Sequence, residues 1–212
     1  MKARLDRTLI LTTVLCLAPM ALTLCVYGKL PEQVPTHWNL AGEVDGWSNR
    51  AFAGFGLPLI MAALNAAVHL ALNNDPKRRN IARAIVLIGK WTVPAVCLLL
   101  VPMTLLAGLG WDVPVGMLAP AIVGLLVMVA GNYMPKTRSS YTAGIRLPWT
   151  LHSEENWRRT HRVAGVCFVA GGLSMTVLAL ALPSFAWIGL AVMLLLAAVP
   201  CVYSFVLYKR GI

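Results

Sequence analysis

Residues 115–134 read VGMLAPAIVGLLVMVAGNYM, twenty positions without one charged side chain. About 20 apolar residues in a helix span the hydrocarbon core of a bilayer, so this stretch predicts a transmembrane helix. Working outward, five more runs of the same kind lie at residues 8–27, 51–72, 91–109, 162–182 and 185–208. The 212 residues are 58% hydrophobic and 12% charged. Soluble domains are about 45–50% apolar and about 25% charged, so a water-soluble globule is excluded, and so is intrinsic disorder. Six spans with their loops fill the length, which predicts an all-α fold: a single polytopic membrane bundle over residues 1–212.

The net charge of +10 comes from 18 Lys and Arg against 8 Asp and Glu, and its placement gives it meaning. With the loops assigned alternately, one side of the membrane receives the start of the chain (Lys2, Arg4, Arg7), the second loop (Lys77, Arg78, Arg79, Arg83, Lys90), the fourth loop and the chain end (Lys209, Arg210). The fourth loop supplies Lys136, Arg138, Arg146, Arg158, Arg159 and Arg162. The opposite side keeps Lys29 and Arg50, beside Glu32, Glu43, Asp45 and Asp112. Cytoplasmic loops carry the Lys/Arg excess, so both termini are expected to be cytoplasmic. The basic charge is thus a topology signal with some attraction to anionic membrane lipids. No basic and aromatic module of the nucleic-acid-reading kinds is present, so no direct nucleic-acid partner is expected. The first span follows basic residues as a secretory signal does, but its apolar run is too long and no A-x-A site follows, which predicts a retained helix.

Cys16, Cys25, Cys97, Cys167 and Cys201 are scattered within apolar spans and indicate neither a disulfide framework nor a zinc site. No cofactor is expected. No catalytic triad spacing, metal motif or phosphate-cradling glycine loop occurs, so no enzyme is expected.

Two loops are long, 28–50 outside and 135–161 inside, and each follows the first helix of a three-helix half. Three crossings per half would place the halves in opposite orientations, the layout of an inverted repeat, although the halves share no convincing identity. In the outer loop Pro31, Pro35, Gly42 and Gly46 predict an ordered irregular cap, with Trp38 and Trp47 as interfacial anchors. His37 with Glu43 and Asp45 lacks any tight ligand spacing; a surface for an extracellular ligand is the functional alternative. In the second span Asn65 and His69 stand four apart on one helical face, either gripping a neighbouring helix or serving a ligand or proton path.

The inner loop is the richest stretch. Ser153 predicts an N-cap for a helix running into the fifth span, with Glu154 and Glu155 in its first turn and Arg158 and Arg159 as their i+4 partners. That helix would project about two turns beyond the membrane, with Trp157, His161, Ala164 and Phe168 on one stripe. Arg146 sits between Ile145, Leu147 and Trp149, which predicts a segment folded onto the membrane surface or between helix ends.

Gly131-Asn132, Gly144-Ile145-Arg146, Pro148-Trp149-Thr150-Leu151, Trp157 and Thr160-His161-Arg162 together resemble the signature of the SdpI family of bacterial immunity proteins. Leu30-Pro31, Pro35, His37-Trp38 and Gly42 resemble the domain that often forms the N-terminal half of that family. The chain departs from the family pattern near Ser140, where Asn is usual, and at Leu147, where Thr is usual. The resemblance implies a multi-pass protein of the bacterial cytoplasmic (inner) membrane that gives resistance to a secreted peptide toxin and signals by holding a cytoplasmic repressor at the membrane. The outer loop with His37 and Trp38 would meet the toxin. Asn132, Arg146, Trp149, Thr150, Trp157, His161 and Arg162 would serve the inner ligand or partner surface. The alternative is a small transporter or lipid-phosphate binder, with Arg146, His161 and Arg162 on an anionic headgroup and Asn65 and His69 lining a path.

Overall fold

The computed structural model describes residues 6–39 and 41–212; Lys2 and Arg4 of the charge reading lie outside them. Two compact units divide the chain. One takes the residues up to Leu70 together with Gly89–Gly116, and the other takes Ala71–Ile88 with Met117–Ile212. Six helical segments are long and apolar enough to cross a membrane. Val166 and Leu195 leave about 71% and 70% of their surface uncovered, which suits hydrocarbon rather than water.

In the first unit, α1 (Arg7–Leu17) starts at Asp6, whose carboxylate accepts the Thr8 N–H. Pro19 cannot donate a backbone hydrogen bond, and there α2 (Pro19–Val26) begins afresh. The loop that follows is a β-hairpin rather than the expected irregular cap. Strands β1 (Gln33–Trp38) and β2 (Val44–Asn49) pair antiparallel, with register shifts on both sides of His37. Val, Thr and Trp on alternating positions outweigh the two turn-forming residues Pro35 and Gly46, and the irregularity at His37 accommodates them. Val34, fully buried, and Leu30 pin the hairpin onto Gly108, where a Cβ would come within 2.8 Å of Val34. A π-helical turn at Phe52–Gly56 leads into α3 (Leu57–Asn74). Helix α4 (Arg83–Gly108) starts eight residues before the expected 91 because Lys90, counted above as a loop cation, is buried inside it with Asp6 as its partner.

The second unit contains α5 (Val115–Tyr133), the short α6 (Pro148–His152), α7 (Glu154–Ala181) and α8 (Ala186–Lys209). Helices α5 and α7 meet along glycines spaced seven apart on each. A Cβ on Gly172 would lie 2.4 Å from the Gly124 carbonyl oxygen, and one on Gly165 would lie 3.1 Å from that of Gly131. Only glycine permits backbones to approach so closely. Prolines 94, 102, 120 and 200 sit within helices that continue through them, as neighbouring helices in a bundle allow.

Candidate functional site

The loop between α5 and α7 folds onto the start of α7, which begins where the sequence placed it: the Ser153 hydroxyl accepts the Asn156 N–H at 3.2 Å. Glu155 takes both guanidinium partners, Arg158 at 2.8 Å and Arg159 at 2.6 Å, so the expected Glu154–Arg158 pair is replaced by an i, i+3 pair.

One turn into α7, Trp157 and His161 stack face to face at 3.9 Å, both buried. Gly144 lies over them with φ +110°, and a Cβ there would come within 2.4 Å of His161 Nε2. The imidazole has both nitrogens engaged. Nε2 accepts the Ile145 N–H at 2.9 Å, and Nδ1 lies 2.9 Å from the Trp157 carbonyl, which can only accept. The ring is therefore held as the neutral Nδ1–H tautomer. Trp157 Nε1 donates to the Thr137 carbonyl at 2.7 Å. Thr150, fully buried, accepts the Leu147 N–H at 2.9 Å and donates to the Ile145 carbonyl at 2.8 Å.

A second polar knot lies beside it. Trp149 Nε1 donates to Ser204 Oγ at 2.7 Å, and Ser204 donates to Asn156 Oδ1 at 2.8 Å. Asn156 Nδ2 in turn donates to the carbonyls of Ser204 and Ile212. Trp149 also stacks on Tyr208, at 5.6 Å between centroids.

The far side of the loop hangs on a carboxylate. Asp75, only 7% exposed, accepts the N–H groups of Lys77 at 2.7 Å, Tyr141 at 3.0 Å and Thr142 at 2.7 Å. Burial opposes its ionisation, but the Thr142 side chain together with these N–H donors outweighs it and holds the carboxyl below its ordinary range. Ser140 turns its hydroxyl onto the Ala143 carbonyl at 2.7 Å and so closes the turn.

A family model described as the SdpI/YfhL protein family matches residues 136–204, from the start of this loop to Ser204. A second, described as a domain of unknown function (DUF1648), matches residues 14–62, which include the hairpin. The chain is also similar to the immunity protein SdpI of Bacillus subtilis (strain 168), 23% identical over 207 residues that cover 97% of this chain and 98% of that one. The SdpI family is the one this chain resembles. No solved structure matches it. This similarity and six apolar spans among the described residues together make it a multi-pass membrane protein.

The residues that carried the SdpI resemblance separate into two sets. Thr150, Trp157 and His161 form the interior of the loop fold, Gly144 covers them from its exposed side, and Trp149 is half-buried at its edge. Asn132, Arg146 and Arg162 are exposed. Arg146 donates to the Tyr141 carbonyl at 2.7 Å and otherwise faces outward, so it meets a loop carbonyl rather than a helix end. Two open cavities flank the loop. One of about 500 Å³ is lined by Trp149, His152 and Tyr208, and one of about 620 Å³ by Lys136, Arg138, Glu154 and Arg158.

Asn65 and His69 belong to the first unit, and both are fully buried. Asn65 donates to Thr12 at 3.0 Å and Thr13 at 3.1 Å, while His69 Nε2 lies 3.1 Å from Thr12 Oγ1, so the stripe meets α1. In the hairpin, His37 is exposed and its Nδ1 lies 2.5 Å from Asp45; Trp38 is partly buried.

Sequence reasoning missed Asp75, Asn156 and the Asp6–Lys90 pair. The Asp75-Pro76-Lys77 order is an Asx-turn signal that could have revealed the first. The others pair residues 48 and 84 positions apart, and no local spacing reports them.

Proposed function

We propose that this protein is an immunity protein of the bacterial cytoplasmic membrane that protects its host from a secreted peptide toxin. The observation that carries the reading is the end-to-end similarity to an immunity protein, 97% of one chain on 98% of the other. The hairpin with His37 and Trp38 meets the toxin from outside. The inner loop presents Arg146 and its exposed neighbours to a cytoplasmic repressor, while Gly144, Thr150, Trp157 and His161 keep that surface in shape. His161 is not itself a ligand group, because both its nitrogens are committed within the chain.

The test is survival of a sensitive bacterium challenged with a panel of secreted peptide toxins, with and without the protein at confirmed membrane levels. Protection against at least one toxin is expected, and its absence across the panel would overturn the reading. Arg146→Ala at equal levels then separates roles: lost protection places the loop in immunity, and retained protection assigns it to signalling.

A second reading, an anionic lipid headgroup site, is favoured by the cavity lined by Lys136, Arg138 and Arg158. It predicts binding to vesicles containing anionic lipid, with weakening in Arg138→Ala, rather than dependence on His161.

A further inference from the structure

The polar cluster between α1, α3 and α4 is left unexplained by helix packing alone. Its hydrogen bonds can be assigned one by one. Thr12 Oγ1 lies 2.8 Å from the Thr8 carbonyl, and that bond takes its single proton. The hydroxyl oxygen then accepts from Asn65 Nδ2 and from His69 Nε2, so a neutral His69 carries its proton on Nε2. His69 Nδ1 is left with a bare lone pair, completely buried and without a hydrogen-bond partner, and the same is true of Asn65 Oδ1.

What His69 Nδ1 faces is another acceptor. Asp6 Oδ2 lies 3.8 Å away and is also the oxygen bound by Lys90. A water donating to both atoms would hold them roughly 4.6 Å apart, given two bonds of about 2.8 Å at a tetrahedral angle. A proton on the nitrogen instead turns the pair into a charge-assisted bond, which a modest rotation of Asp6 closes. A metal ion is disfavoured by the Lys90 ammonium already on the same oxygen.

We propose that His69, Asp6 and Lys90 form a proton-binding site, with His69 Nδ1 as the acceptor and Asp6 as the group through which the proton enters. Among the described residues Asp6 keeps 25% of its side chain exposed, whereas His69 is sealed and Lys90 is 6% exposed, so the carboxylate is the most accessible of the three. The groups facing the imidazole are Asp6 and Thr12 from the start of α1, Asn65 from its own helix and Lys90 from α4, through its main chain as well as its ammonium. A proton arriving from water passes over the carboxylate to the lone pair, and no other bond is made or broken. Asp6 is then shared between two cations, and its hold on Lys90, hence of α1 on α4, weakens. This site stands independently of the immunity reading.

The test is nitrogen-15 NMR of histidine-labelled full-length protein in lipid nanodiscs, titrated between about pH 5 and 8, the range in which imidazoles normally change charge. His69→Gln assigns the signal. The expected result is a bare Nδ1 at the alkaline end that gains a proton on acidification. Asp6→Asn keeps the helix cap and removes the charge, so it should lower the midpoint by at least about one pH unit. Lys90→Met should raise it, and this serves as the readout should Asp6→Asn not fold. A water-bonded Nδ1 that stays unprotonated down to pH 5, or a midpoint that neither substitution moves, overturns the proposal.

Discussion

The Asp75 carboxylate receives the Thr142 N–H at 2.7 Å across 67 residues of chain. With Tyr141 and Lys77 it forms a three-donor cradle that contains no cationic side chain among its hydrogen-bond partners. Because the folded carboxyl is held below its ordinary value, the stabilisation is complete above the unfolded pKa of about 4 and is lost as pH falls through the folded value. Thermal unfolding in detergent should therefore weaken below about pH 4 in the wild type. Asp75→Asn should be less stable by about 2 kcal/mol at neutral pH and lose most of that acid dependence.

Gly144 and Arg146 are two residues apart but should behave oppositely. Gly144→Ala forces a Cβ onto His161 and Trp157 at a φ that L residues resist, and about 2–3 kcal/mol of stability should be lost. Arg146→Ala removes an exposed side chain and should leave stability within about 0.5 kcal/mol. Equal melting temperatures for the wild type and Gly144→Ala would show that the loop does not pack as described.

Gly172→Ala should be destabilising by at least about 1–3 kcal/mol, since the methyl meets backbone on α5 rather than a movable side chain. Gly211→Ala meets no neighbouring atom; its φ of +80° alone should make it the milder change. Comparative unfolding of both variants in one detergent tests the seam, and the reverse ranking would reject it.

Asn156 and Ser204 share a hydrogen-bond network, so their effects should not add. Asn156→Ala and Ser204→Ala should each cost about 1–3 kcal/mol, and the double variant should fall short of the sum by at least about 0.5 kcal/mol. Strict additivity in a double-mutant cycle would mean that the Ser204–Asn156 bond at 2.8 Å carries no coupling.

The spans, the Ser153 cap and the aromatic stripe of α7 were legible because each follows from local periodicity or a local capping rule. The hairpin was not, because Pro35 and Gly46 argue for turns on their own and the pairing depends on Val34 being buried against Gly108. Lys90 was misplaced for a similar reason: a lysine reads as a loop residue until its partner, 84 residues away, is known. Within the site, Trp157, His161 and Thr150, named from the sequence for an inner ligand or partner surface, come together as one packed group. Their interior placement was hidden because it depends on Gly144, whose missing side chain leaves no chemical signal.

The Asp75 cradle also sets an order in time. Synthesis adds about 5–20 residues per second, so Asp75 leaves the ribosome roughly 3–13 s before the Tyr141 and Thr142 amides that complete it, 66 and 67 residues later. During that interval its carboxylate remains hydrated. Closure of the segment from Ala71 to Ile88 against the later loop is consequently a late event in biogenesis, and a nascent chain stalled before Tyr141 would hold this segment in an open form that the finished protein does not retain.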